Sequence, residues 1–371
     1  MTGLTQALFR TLAAPASRLG SSVLASKVRR SRPLPLWISR GEVRIPRVQA
    51  WMTEVVLVIV GFVLLAKGAD WLVDGGAALA RRMGVRPLMI GLTVVAWGTS
   101  LPEVVVSGLA AWQGRPGASL GNVLGSNVAN IGLVLGTSAL ILPAILKGRT
   151  QPREAFWLLL SIGTLWAVCS DKNVTRWEAG ILLTIFATYN LLLYRSSRRI
   201  SAKMAEDELD EQVQTEGRPV MWIIIGSISI GIGAKLVMLG AEGLAVRIGL
   251  SDTVIGLTVL ALGTSLPELA AGVGSALKGQ TEIGFGNVIG SNVFNSLAVI
   301  GIAGMITPFD GADPEVAREL TSAAARDFPL NIAFAIGLIA LPMLLPGKYL
   351  RGKAGLLLLA YVSYITAVFV L

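Results

Sequence analysis

The chain has 371 residues, 53% of them hydrophobic and only 15% charged, with 42 glycines and a mean hydropathy of +0.66. Apolar runs of roughly 20 residues, enough to cross about 30 Å of hydrocarbon, recur along almost the whole length; they describe a polytopic membrane protein and leave no room for a soluble domain. There is no histidine and one cysteine, Cys169, which excludes Ser–His and Cys–His nucleophile pairs, histidine metal sites, a histidine pH switch and an intrachain disulfide.

The formal charge of +9 is gathered at the start of the chain. Residues 1–50 hold nine Lys or Arg against one acid, Glu42, so the remainder is close to neutral and the charge argues for no nucleic-acid partner. This Arg-rich, acid-poor stretch lacks an uninterrupted apolar core and fits an organelle transit peptide. Met52, however, stands immediately before the first membrane run. The expectation is that residues 1–51 are a basic leader upstream of the true start at Met52, with the transit peptide as the other reading.

Polar breaks divide the rest into ten candidate spans, at roughly 53–80, 87–112, 118–146, 154–170, 177–194, 220–246, 252–277, 283–308, 328–346 and 353–371. They are expected to be helical, since a lipid-exposed backbone must satisfy its own hydrogen bonds and these runs are too long for barrel strands. Loops after odd-numbered spans carry fifteen Lys or Arg and the other side six, which places the odd loops in the cytoplasm. The stretch 195–219 has a basic start followed by Glu206, Asp207, Glu208, Asp210, Glu211 and Glu216, and reads as a solvated cytoplasmic linker.

Two segments repeat. IGLTVVAWGTSLPE from Ile90 and IGLTVLALGTSLPE from Ile255 start 165 residues apart, and GNVLGSN from Gly121 and GNVIGSN from Gly286 share that offset. Spans two and three therefore correspond to seven and eight. Five spans separate them, and an odd number of crossings reverses direction. The fold expected is all-α and polytopic, with ten transmembrane helices as two inverted five-helix repeats, 52–194 and 220–371, sharing a site near the midplane where discontinuous helices meet.

Each GTSLPE puts a proline inside a span, freeing the carbonyl four residues back: Gly98 for Pro102 and Gly263 for Pro267. Ser100 with Glu103, and Ser265 with Glu268, match a capping box, so each span reads as two helices with a joint. A carboxylate at that depth must find a cation, a proton or a water-filled cavity. Asn122, Ser126 and Asn130 fall on one helical stripe, as do Asn287, Ser291 and Asn295, while Gly121 with Gly125 and Gly286 with Gly290 make close-packing faces.

Pooled, the two copies offer oxygen only: Glu103 and Glu268 carboxylates; Thr99, Ser100, Thr264, Ser265, Ser126 and Ser291 hydroxyls; Asn130 and Asn295 amides; and freed backbone carbonyls. These hard ligands suit Ca²⁺, or Na⁺ sharing the same groups, and two carboxylates balance one Ca²⁺. Transition metals would want sulfur or imidazole. Lys67 with Asp70 reads as an internal i, i+3 pair; Asp74, Lys235 and Glu242 are the other charges at membrane depth.

These residues resemble the Ca²⁺/cation antiporter superfamily, specifically its sodium/calcium exchanger branch and the small prokaryotic members. The similarity rests on GTSLPE…GNVLGSNVAN and GTSLPE…GNVIGSNVFN and extends over essentially all of Met52 to Leu371. The resemblance implies a ten-helix fold in which Glu103 and Glu268 bind Ca²⁺ and neighbouring oxygens share it with Na⁺. It also implies that the first and sixth helices slide across the core. Potassium-dependent members carry Asp where Asn295 stands, which leans against K⁺ dependence, and 195–219 is too short for the large regulatory domain of animal exchangers.

The expected function is secondary active antiport of Ca²⁺ for Na⁺, with Ca²⁺/H⁺ antiport through the same glutamates as the alternative. A cation channel would use the same ligands without a counter-ion. An intramembrane hydrolase at Ser100 or Ser265 lacks a histidine base, and no enzyme activity is expected. Ca²⁺ and Na⁺, or H⁺, would be transported substrates; neither a cofactor nor an obligate protein partner is expected. The expected location is a bacterial inner membrane, or an organelle membrane if the leader is a transit peptide.

Overall fold

The computed structural model describes residues 47–146, 152–207, 218–248, 263–344 and 349–370. Contacts divide the chain into Met1–Ile45 and Pro46–Leu371, and every element below lies within the second unit. The leader up to residue 46, the acidic stretch 208–217 and the first part of the expected seventh span, 249–262, lie outside the described residues.

In chain order the helices are α1 (Arg47–Met83), the bent pair α2a (Pro87–Thr99) and α2b (Leu101–Trp112), α3 (Pro116–Ile141), α4 (Pro152–Cys169) and α5 (Arg176–Asp207). Then come α6 (Pro219–Arg247), α7 (Leu266–Leu277), α8 (Thr281–Ile306), α9 (Pro314–Ser322, continuing through a π turn into Phe328–Leu344) and α10 (Leu350–Val370). Strands are absent among the described residues; one isolated bridge joins Val174 and Phe309. By length and composition, α1, α3, α5, α6, α8 and α9 can each cross a membrane, and the bent α2 pair makes a seventh candidate. The basic start of the expected linker is not loop: α5 runs on through Asp207.

Proline and glycine set the joints. Pro87, Pro102, Pro116, Pro219 and Pro267 lie in first helical turns, where a missing N–H costs nothing. Gly114 after α2b and Gly279 after α7 have φ of 72° and 69°, the left-handed geometry that ends a helix and that a Cβ disfavours. They stand 165 residues apart, so the inverted repeat preserves even its turn.

Helices α3 and α8 are innermost, with 72% and 83% of their apolar windows buried, against 22–39% for α1, α5, α6 and α9. The glycines of α8 explain its close fit: a Cβ on Gly286 would meet the Leu88 carbonyl at 2.7 Å, and one on Gly290 the Leu92 carbonyl at 2.5 Å.

Outside this core, α1 and α6 pair antiparallel along two glycine rows: Gly61 faces Gly233 and Gly68 faces Gly226, while Gly75 lies against Pro219 and Gly240 against Glu54 and Val58. A Cβ on Gly68 would fall 2.8 Å from the Gly226 carbonyl, and one on Gly226 would fall 2.6 Å from the Leu72 nitrogen. Without a hydrophobic drive between helices in lipid, such backbone contact is what holds a pair together. An Arg247–Glu54 ion pair ties one end of it.

Candidate functional site

The break expected in GTSLPE is present in the first copy; in the second, the residues ahead of Gly263 lie outside the described residues. The halves of α2 diverge by 47° at Ser100 (φ −90°, ψ 10°), and α7 begins after Ser265 in nearly the same conformation (φ −89°, ψ 1°). The capping box is not formed. Neither serine makes a side-chain cap bond; the Ser100 hydroxyl turns instead to the other repeat, donating to Glu268 Oε1 at 2.8 Å and lying 3.0 Å from Ser291 Oγ. A carboxylate is the stronger acceptor, so it takes the hydroxyl.

All ten expected ligand residues are buried. Thr99, Ser100, Glu103, Asn130, Glu268, Ser291 and Asn295 have no exposure, and Ser126, Ser265 and Thr264 very little. Ser100, Glu268 and Ser291 form one hydrogen-bonded chain across the repeats, while Ser126 donates to Glu103 Oε1 at 3.4 Å. Thr99 donates to Asn287 Oδ1 at 3.2 Å, and Asn130 Nδ2 to Asn292 Oδ1 at 3.1 Å. Thr264, Ser265 and Asn295 join none of these bonds, and their side-chain polar atoms have no partner. Asn122 is only half-buried; it donates to Ser107 at 3.0 Å, so its stripe does not run unbroken into the centre.

The sequence reading missed Asn127, Asn292 and Ser296. Asn127 Nδ2 donates to Ser296 Oγ at 2.9 Å, and Asn292 holds Asn130, so these three knit α3 to α8. The signal was present in GSN: Asn127 and Asn292 share the 165 offset, each directly after a candidate serine. Asn130 and Asn295 each open a π turn, Asn130–Leu135 and Asn295–Val299, an irregularity frequent at functional sites.

The acceptors left over define what the cluster can hold. Glu103 Oε2, Glu268 Oε2, Thr264 Oγ1, Ser265 Oγ, Asn130 Oδ1 and Asn295 Oδ1 are buried without a hydrogen-bond partner. Neither glutamate is in an ion pair among the described residues. Each orphaned neutral acceptor costs about 1–3 kcal/mol and a carboxylate more. No three Asp, Glu, His or Cys side chains gather as a metal site among the described residues, so the acids of this cluster are the two glutamates and its other oxygens are neutral.

The peripheral charges are arranged otherwise. Lys67 lies 3.9 Å from Asp70, as the i, i+3 spacing suggests. Asp70 and Asp74 also take Lys278 from the end of α7, a partner that sequence spacing did not reveal. Lys235 and Glu242 are exposed. Glu282, at the start of α8, pairs with Arg86 and accepts from the Leu88 N–H at 3.2 Å, fixing α8 to the N-terminus of α2a.

Comparison with known proteins gives a consistent result. A family model described as sodium/calcium exchanger protein matches residues 53–195 and 219–370. CaxA of Alkalimonas amylolytica is 37% identical over 326 residues, covering 84% of this chain and 98% of CaxA. The sodium/calcium exchanger MaX1 of Methanosarcina acetivorans is 28% identical over 355 residues, covering 84% of this chain and 97% of MaX1. Among solved structures, the sodium-calcium exchanger NCX_Mj soaked with Na⁺ and without Ca²⁺ superposes with a TM-score of 0.66 at 30% identity, over 85% of this chain and 99% of that one.

Proposed function

The chain belongs to the sodium/calcium exchanger family, and from that membership we propose that it is a secondary active antiporter exchanging Ca²⁺ for Na⁺ by alternating access. Glu103 and Glu268 are the charged ligands. Thr99, Ser100, Ser126, Asn130, Thr264, Ser265, Ser291 and Asn295 complete the shell. The observation that carries this reading is the set of orphaned buried oxygens drawn from both repeats, with two carboxylates and, among the described residues, no ion pair to balance them.

Na⁺ suits the same site because it takes the same hard oxygens; alternation between one divalent and several monovalent ions keeps the carboxylates neutralised throughout. Ca²⁺/H⁺ exchange remains the second reading, since protons on the two glutamates would neutralise them equally well. A cation channel is distinguished by flux without a counter-ion. Glu103→Gln or Glu268→Gln, in protein reconstituted into vesicles, is expected to abolish Ca²⁺ flux; flux that persists in either variant would overturn the assignment. We place the protein in a bacterial inner membrane, with the loops after odd-numbered spans in the cytoplasm.

A further inference from the structure

Helices α2b and α7 are repeat-mates, yet their surroundings differ. α7 packs against both α1 and α6, and a Cβ on Gly274 would sit 3.1 Å from the Ala69 Cβ, whereas α2b has at most marginal contact with either. Exposure follows: Leu101, Val105 and Leu109 on α2b are 54%, 58% and 47% exposed, while their counterparts Leu266 and Ala270 are half-buried and Gly274 is buried. The paired α1–α6 unit thus packs on α7 and on α2a and leaves α2b uncovered.

On the closed side the seam ends in charge. Lys278 Nζ, on α7, lies 2.7 Å from Asp74 Oδ2 and 3.3 Å from Asp70 Oδ1 on α1, and donates to the Asp70 carbonyl at 3.3 Å. The inverted repeat cannot form this contact on the other face, because the repeat-mates of Asp70, Asp74 and Lys278 are Lys235, Leu239 and Gln113. Beneath it, between α1 and α7, lies a cavity of about 360 Å³ that runs from Asp70 to Leu266, the neighbour of Ser265.

We infer that the Lys278–Asp74–Asp70 bridge is a one-sided latch, holding α1 against α7 and favouring the conformer in which the central site is sealed on that face. The inference rests on the antiporter reading, because a latch matters only if α1 and α6 move relative to α7. Half-exposed ion pairs are weak one at a time, but a two-state equilibrium responds to any interaction made in one state alone. The expected bias is about three- to tenfold in population. Among the described residues Asp74 has Lys278 alone as an ion-pair partner, while Asp70 also has Lys67, so loss of Lys278 or Asp74 releases more than loss of Asp70. A latch present on one face alone makes the two faces open unequally.

The test uses the full chain in vesicles with Cys169, itself buried, replaced by Ser. Ala69→Cys, in the α1–α7 seam, reports opening by its rate of modification with a small thiol reagent; Val273→Cys on the facing helix is a second reporter. Lys278→Gln and Asp74→Asn are expected to raise that rate about three- to tenfold, and the exchange Lys278→Asp with Asp74→Lys to return it. An unchanged rate in both single variants, or a raised rate that the exchange does not return, overturns the latch. Ca²⁺ flux in the same vesicles separates the two claims: absence of counter-ion-dependent flux in the parent overturns the antiporter reading, whereas exchange with an unchanged labelling rate overturns only the latch.

Discussion

The Ser100 hydroxyl belongs to one repeat and the carboxylate it holds, Glu268, to the other, at 2.8 Å. The repeat-mate contact, Ser265 to Glu103, is not made; Ser265 Oγ is buried without a partner, and Glu103 is held only by Ser126 of its own repeat at 3.4 Å. Sequence symmetry is therefore broken at the site itself. The direction of that asymmetry agrees with the packing, in which α1 and α6 close on α7 and leave α2b uncovered.

Removing Ser100 should cost more than removing Ser265 in the cation-free protein. Ser100→Ala deletes a buried hydrogen bond and leaves Glu268 Oε1 unpartnered, at a cost of about 1–3 kcal/mol. Ser265→Ala deletes no bond that this conformer makes. Thermal unfolding in Ca²⁺-free detergent measures both, and equal losses would contradict the asymmetry.

Asn292 fixes which end of Asn130 is free. With Asn130 Nδ2 donating to Asn292 Oδ1, Asn130 Oδ1 is the end left for a cation. Asn292→Leu strands a buried donor at a cost of about 1–3 kcal/mol and lets the amide turn, so a raised KM for Ca²⁺ and a lowered melting temperature are expected together. Asn292→Asp keeps the acceptor and should preserve the Asn130 orientation, which flux at varied Ca²⁺ will report.

The glycine rows of α1 and α6 predict position-specific intolerance. Gly68→Ala and Gly226→Ala place a methyl against backbone at 2.8 and 2.6 Å and should cost about 1–3 kcal/mol each through overpacking. Gly163→Ala and Gly180→Ala, where nothing lies within 4 Å of the added carbon, should be near neutral. Parallel melting curves for the four variants decide it.

Much of this arrangement was legible before the structure. GTSLPE and GNVxGSN recur at one offset, and an odd number of spans between them implied inversion; the break at Ser100, the matching start of α7 after Ser265 and the burial of all ten candidate ligands agree with that. The serine cap was misread because capping is a local pattern, whereas Ser100 serves a carboxylate 168 residues away. Asn292 and Lys278 were missed for the same reason: one acts through Asn130 and the other through Asp74, and neither distance is encoded by helical spacing. The glycine rows carried the 165 offset in plain view, since Gly61, Gly68 and Gly75 map onto Gly226, Gly233 and Gly240. Spacing of seven is hard to see among 42 glycines, and only the packed backbones single it out.

Exchange of Ca²⁺ for Na⁺ at the paired glutamates is measured by ⁴⁵Ca uptake into vesicles holding the full chain, with a Na⁺ gradient and a pH gradient imposed separately, on the parent protein and on Glu103→Gln and Glu268→Gln. Uptake is expected to follow the Na⁺ gradient, to be indifferent to pH and to vanish in both variants. Uptake that follows the pH gradient and ignores Na⁺, or that survives either substitution, would rule out this exchange.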